Sequence, residues 1–168
     1  CEFYVIDDEL KYVMNPSDRV LNRSTYVVFD LETTGLSSRY NDIIEFGAVK
    51  VEKGMVVSSL DILINPGYPL PKKISEITDI TDGMLKNKPT LEEVLPKIIE
   101  FIGDSILISH NAEFDVGFLQ EALKKHGYEK MNNPVIDTLA LSRYLFPEAR
   151  RHNLGALCRN MEVRYDEE

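Results

Sequence analysis

A carboxylate interrupts the most strand-like run of this chain. Tyr26-Val27-Val28-Phe29 reads as a central β-strand, because β-branched and aromatic side chains suit a pleated, half-buried surface, and Asp30 follows without a break. Asp is depleted in strands, and a buried carboxylate is costly unless it is paired or bound to a metal. Glu32 comes two residues later. Period-2 geometry places both side chains on one face, about 6.5–7 Å apart along the strand. Carboxylates at that separation can flank two metal ions lying about 3.5–4 Å apart. Thr33-Thr34-Gly35 then ends the run, so the acids fall at the strand's carboxyl end, where open α/β sheets bind ligands. The plain alternative is that Asp30 and Glu32 only cap a turn.

The rest of the pattern predicts an α/β fold. TYVVFDLET, IIEFGAVKV (43–51) and MVVSSLDILIN (55–65) read as three strands, with Lys53-Gly54 as a hairpin turn. Pro66, Pro69 and Pro71 end the sheet and leave an irregular stretch. Thr90 and Glu93 form a capping box ahead of LEEVLPKIIEFI, which Pro96 is expected to bend or delay. SILISHN (105–111) reads as a buried strand, EFDVGFLQEALKKHG as a helix stopped by Gly127, and PVID (134–137) as a short strand. Asp137 caps TLALSRYLF, and Asn153 caps LGALCRNM. Strands followed by alternating helices and strands imply a mixed central sheet flanked by helices. Residues 1–24 read as a leader or hairpin before a domain over 25–168.

Composition narrows the function classes. The 168 residues suit one domain. With 43% apolar and 28% charged residues the chain reads as globular, and no run approaches the about 18 apolar residues of a membrane span. Two cysteines, Cys1 and Cys158, allow one bridge at most, so a reducing cytoplasm is the default location. Nineteen basic against 28 acidic residues give −9, which argues against tight duplex binding through phosphates. An acidic site completed by divalent cations escapes that objection, because bound ions reverse the local field.

A second acid sharpens the picture. In Ser109-His110-Asn111-Ala112-Glu113-Phe114-Asp115 a strand passes through a polar turn into a helix, with Asp115 in its first turn. The helix dipole favours acids there without any function, and Glu113 reads as a solvated example. Considered together, FDLETTGL and SHNAEFD resemble the first two motifs of the DEDD exonucleases, a ribonuclease H-like family. The similarity runs from about Tyr26 to Arg164 and takes in DIIEFGAVKV, ISEITDITDGML and NPVIDTLALSR. With NPSDRVLNRSTYVVFD and RHNLGALCRN, it is strongest to the exonuclease region embedded in PolC-type DNA polymerase III. The resemblance implies metal-dependent 3′→5′ hydrolysis of phosphodiester bonds at DNA 3′ ends, in replicative proofreading. It implies Asp30, Glu32 and Asp115 as catalytic carboxylates holding two ions, Mg²⁺ or Mn²⁺, with Asp30 between them. It further implies substrate contacts from Thr33, Gly35, Leu36, His110, Asn111 and Phe114, Leu36 wedging against the terminal base. The implied partners are a single-stranded DNA 3′ end and the polymerase part of the same chain or complex, with no membrane.

The resemblance has gaps. The family's third motif, an Asp with a general-base His five residues ahead of it, is not found: five positions after His152 stands Leu157. Residues 1–168 alone are therefore expected to hold metal weakly and to cleave slowly or not at all. Thr78-Asp79 replaces the His-Gly of some relatives, leaving Ile80 as a candidate base contact. Glu45 reads equally as support for the acids or as a solvent-facing strand residue, and Arg150-Arg151 as a solvated pair or a phosphate contact. His126 reads as a surface residue at a helix end. Alternatives to DNA proofreading are an RNA-trimming relative and a non-catalytic exonuclease-fold module. A nucleotide-cofactor fold is disfavoured, since ETTGL has one glycine where a dinucleotide fingerprint needs three.

Overall fold

The computed structural model describes residues 24–163. The expected leader or hairpin over 1–24 lies, apart from Ser24, outside the described residues.

Three strands form where the alternation is strongest: β1 (Thr25–Thr33), β2 (Ile43–Glu52) and β3 (Met55–Leu63). Lys53 and Gly54 both take positive φ, 50° and 78°, as a tight hairpin turn between right-twisted strands requires. Two short strands follow, β4 (Ile106–Ser109) and β5 (Val135–Asp137), in the sheet order β3-β2-β1-β4-β5. The β1–β2 and β2–β3 pairs are antiparallel, while β1–β4 and β4–β5 are parallel. The sheet is mixed, as expected.

One sheet face carries the core. Val27, Phe29 and Leu31 alternate inward on β1 and meet Phe46, Ala48, Leu60 and Leu107. Helix α3 (Leu91–Ile102) adds Val94, Leu95, Ile98 and Ile102; α4 (Ala112–Lys125) adds Phe118, Leu119, Ala122 and Leu123. Removing this much apolar surface from water is what holds the layers together, each such side chain contributing about 1.5–3 kcal/mol. The Thr90–Glu93 capping box forms, and α3 begins at Leu91 and continues through Pro96. Pro96 does not delay the start, because the Glu92 carbonyl it leaves unpaired lies on the exposed side of the helix.

The proline-rich stretch is less irregular than expected. Pro71 precedes α1 (Lys72–Thr78), and Thr81 caps the single turn α2 (Asp82–Leu85). Their apolar residues are too few to show a helical period; Ile80 and Leu85 are buried with Ile44 and Leu70 in a second, small core. Ile80, 3% exposed, is therefore a core residue and makes no base contact. Two last helices, α5 (Thr138–Leu145) and α6 (Leu154–Asn160), start at the expected caps: Asp137 accepts from the Leu139 and Ala140 amides, and Asn153 from the Ala156 amide.

Candidate active site

The parallel pairing fixes where the acids meet. Val28 aligns with Ile108, so the next same-facing step along both strands brings Asp30 beside His110 at the carboxyl ends of β1 and β4. Across β1's other edge, Glu32 stands directly opposite Glu45. A β-bulge lies between Glu32 and Thr33, with Ile44 as the extra residue on β2. Bulges re-aim side chains and are over-represented beside active sites. Asp115 rises from the first turn of α4, 2% exposed, and accepts a 2.5 Å hydrogen bond from the Ser109 hydroxyl.

These carboxylates feel one another. Burial, then the charges of Asp30, Glu45 and Asp115, push Glu32 up to about 7. Burial pushes Asp115 up to about 6; the Ser109 hydrogen bond opposes this, and Asp30 adds to it. Asp30 remains open to solvent, yet the protein closing around one side of it raises its carboxyl, while the Leu31 amide and His110 act in the other direction. Glu45 is raised as well, first by burial, then by Asp61, with which it shares a side-chain hydrogen bond. Among the described residues the ion pairs are Lys72–Glu76 and Lys124–Glu121, neither of which touches the cluster. Among the described residues no Lys or Arg is ion-paired with the acids, which thus form an oxygen-donor set of the kind that Mg²⁺ and Mn²⁺ select. Among the described residues no three His, Cys, Asp or Glu side chains stand close enough together to hold a metal ion as they are placed.

Beside the acids the chain folds back on itself in a closely bonded loop. Thr33 Oγ1 donates to the Gly35 carbonyl (2.7 Å), and the buried Thr34 hydroxyl accepts from the Asp42 amide (3.0 Å). Tyr68 donates its hydroxyl to Asp42 Oδ2 (2.7 Å) and lies 3.0 Å from Thr34 Oγ1. Asn41 Oδ1 accepts from the Ser37 amide, and its side chain fills the space a Cβ on residue 35 would need, 2.6 Å away. Gly35 leaves room for that close approach, and a larger residue there would have to displace the Asn41 side chain from its bond to Ser37. Leu36 projects from the loop, 88% exposed.

Leu36 forms one wall of a pocket of about 320 Å³ whose other walls include Ser38, Asn111, Glu113, Phe114 and Phe118. Asn111 takes a left-handed conformation (φ 69°), which Asn tolerates, and donates its amide to Asp137 Oδ1 (3.0 Å). Asp137 is thus both the cap of α5 and a brace for the turn that presents Asn111. His110 is half-buried with Nδ1 3.0 Å from Thr138 Oγ1, so the ring is satisfied on that side. Of the expected substrate residues, Leu36, Asn111 and Phe114 share the pocket; Thr33 and Gly35 do not line it but belong to the loop that carries Leu36, and His110 stands beside Asp30. Glu113 is exposed, as a dipole residue should be. His152 bonds Ser142 (2.9 Å), Arg150 and Arg151 are exposed, and His126 closes α4.

Sequence reasoning overlooked Asp61 and left Glu45 undecided. Asp61 faces the same side of the sheet as Glu45, paired across from Gly47. Acids recurring at alternate positions of two adjacent strands were the available signal. The Tyr68–Asp42–Thr34 bonds, spanning up to 34 residues of sequence, left no local trace.

Comparison with known proteins identifies the family. The chain is 46% identical over 162 residues to DNA polymerase III PolC-type of Bacillus cereus, and 47% identical over 163 residues to that of Bacillus subtilis. Each match covers 96% of this chain and 11% of the relative, so the chain spans about a tenth of those proteins. Among solved structures, Exonuclease X in complex with 5′ overhanging duplex DNA has a TM-score of 0.65 at 26% identity, covering 85% of this chain and 76% of that one. Exonuclease I of E. coli in complex with a dT13 oligonucleotide shares the fold, with a TM-score of 0.74 at 18% identity, covering 86% of this chain and 37% of that one. The sequence model of the RNase T exonuclease family matches residues 27–168, and the chain belongs to that family of exonucleases.

Proposed function

We propose that this exonuclease domain removes nucleotides from the 3′ end of single-stranded DNA and proofreads for a replicative polymerase in the cytoplasm. The observation that carries this reading is the convergence of Asp30, Glu32 and Asp115, ion-paired with no Lys or Arg among the described residues, next to a pocket walled by Leu36, Asn111 and Phe114. The three carboxylates would hold Mg²⁺ or Mn²⁺, and such ions activate water and stabilise a leaving 3′-oxygen. The protein's own contributions are positional. The Thr33–Gly35 backbone faces the terminal nucleotide, Leu36 and Phe114 contact its base, and His110 and Asn111 sit near its sugar and phosphate. Apolar side chains receive an unstacked base more readily than a paired one, which favours a frayed or single-stranded end. The PolC-type relatives support a polymerase partner, within the same chain or complex.

The test uses the domain with its third motif present and follows a 5′-labelled DNA oligonucleotide with Mn²⁺, beside a matched RNA and a DNA with a blocked 3′ end. Stepwise shortening from the 3′ end of DNA, absent with the blocked end, is expected. Faster loss of the RNA would assign the domain to RNA trimming instead.

A further inference from the structure

The molecule contains a second pocket of about 420 Å³, lined by Gly117, Gln120, Glu121, Lys124, Gly127, Tyr128 and Lys130. It adjoins the first at Gly117, which lines both. Positions 117, 120, 121 and 124 recur at helical spacing, so a single stripe of α4 floors both pockets from Phe114 to Lys124, about 15 Å by helical rise. A Cβ at residue 117 would meet nothing within 4 Å, so no side chain closes the passage there.

Its chemistry differs from that of the acid cluster. In a chain of net charge −9, two lysines face a single glutamate here. Lys124 lies 3.7 Å from Glu121 with 78% of its side chain exposed, a loose surface pair of small energy, so its ammonium remains available. Tyr128 is 40% exposed and supplies an aromatic face. Gln120 is fixed in the pocket wall by its amide nitrogen, which donates to the Met131 carbonyl (2.7 Å). Cations for phosphate beside an aromatic ring for stacking suit a nucleotide, and stacking serves any base.

We propose that this pocket is a second nucleotide subsite, which holds DNA upstream of the 3′ terminus with phosphate on Lys124 and Lys130 and a base against Tyr128. The proposal rests on the reading of the first pocket as the seat of the terminal nucleotide. It predicts that affinity rises with the length of single-stranded DNA, because only longer strands reach along α4.

The test measures anisotropy of labelled thymidine dinucleotide and hexanucleotide on the intact protein, with Ca²⁺ replacing Mg²⁺. The hexanucleotide is expected to bind more tightly, and Tyr128→Ala and Lys130→Ala each to weaken it about five- to tenfold while leaving the dinucleotide unchanged. Both side chains are exposed, so neither change disturbs the core. Lys130→Ala should also flatten the salt dependence by about 0.7 in log–log slope for the lost phosphate contact. Variants that bind the hexanucleotide as wild type does, or that lose both lengths equally, overturn the subsite. Wild-type protein that hydrolyses DNA yet binds both lengths alike overturns the subsite alone. Protein that neither binds nor hydrolyses DNA overturns the underlying reading, and the subsite with it.

Discussion

Two neighbouring regions of this domain treat polar groups in opposite ways. In the loop from Thr33 to Asp42 the hydroxyls of Thr33 and Thr34, the side-chain amide oxygen of Asn41 and a carboxylate oxygen of Asp42 find partners within the protein, the last in the Tyr68 hydroxyl. A few ångströms along β1, Asp30, Glu32, Asp115 and Glu45 face like charges, and all four carboxyls are held above their ordinary values. Satisfied polar networks rigidify, while unsatisfied ones persist in a folded protein where a ligand completes them. The loop is built to hold a shape and the acids to hold a cation. The difference makes the two regions respond oppositely to mutation.

Asp30→Asn gives the largest expected effect. It is nearly isosteric and removes a central charge of the cluster. In a domain that carries its third motif, activity on single-stranded DNA should fall roughly a thousandfold or more, while the metal-free protein melts at the same temperature or higher because repulsion is relieved. The check pairs nucleotide-release kinetics with thermal melts. An unfolded variant whose folded fraction kept full activity would make Asp30 part of the scaffold, and the contrast with the loop would vanish.

The pH dependence of stability comes next. Glu32, at about 7, lies above its ordinary 4.5, and Asp115, at about 6, above its ordinary 3.8. A group that binds its proton more tightly when folded contributes stability that is whole below its unfolded value and is lost as pH rises through the folded one. Chelated protein should therefore lose stability from about pH 4 upward through pH 7, and Mn²⁺ at pH 8 should restore it by binding the ionised form. Glu32→Gln should stabilise the chelated protein at pH 8 by about 1–2 kcal/mol after allowance for solvent screening, with no gain at pH 4. Denaturant melts at the two pH values measure it; an equal gain at both would trace the effect to packing rather than charge.

The same contrast explains what the sequence could reveal. Strands β1 to β3, the α3 capping box and the caps Asp137 and Asn153 depend on neighbours in sequence, and each was legible. Asp30 and Glu32 stood out because a carboxylate contradicts an apolar strand; Asp115 was ambiguous alone, since a helix N-terminus favours it anyway. Pairing register is non-local. Only the alignment of Glu45 with Glu32, and of Gly47 with Asp61, brings the further acids to the cluster. Helix α1 was hidden because a run of seven residues following three prolines carries too little period to outweigh them.

Tyr68→Phe probes the satisfied region with the smallest change. It deletes one hydroxyl, frees Asp42 Oδ2 and removes a partner of Thr34, leaving the ring in place. Tyr68 is 42% exposed, so water replaces part of what is lost, and the variant should be destabilised by about 1 kcal/mol or less. Its kinetic signature is more telling than its stability. The loop carries Gly35 and Leu36, so loosening it should raise KM for single-stranded DNA severalfold while kcat, set at the acids, stays near wild type. Asp30→Asn acts on kcat, and a steady-state comparison of the two variants separates positioning from chemistry. If Tyr68→Phe lowered kcat with KM unchanged, the loop and the acids would be a single coupled device, and the boundary drawn between them at Thr33 would be wrong.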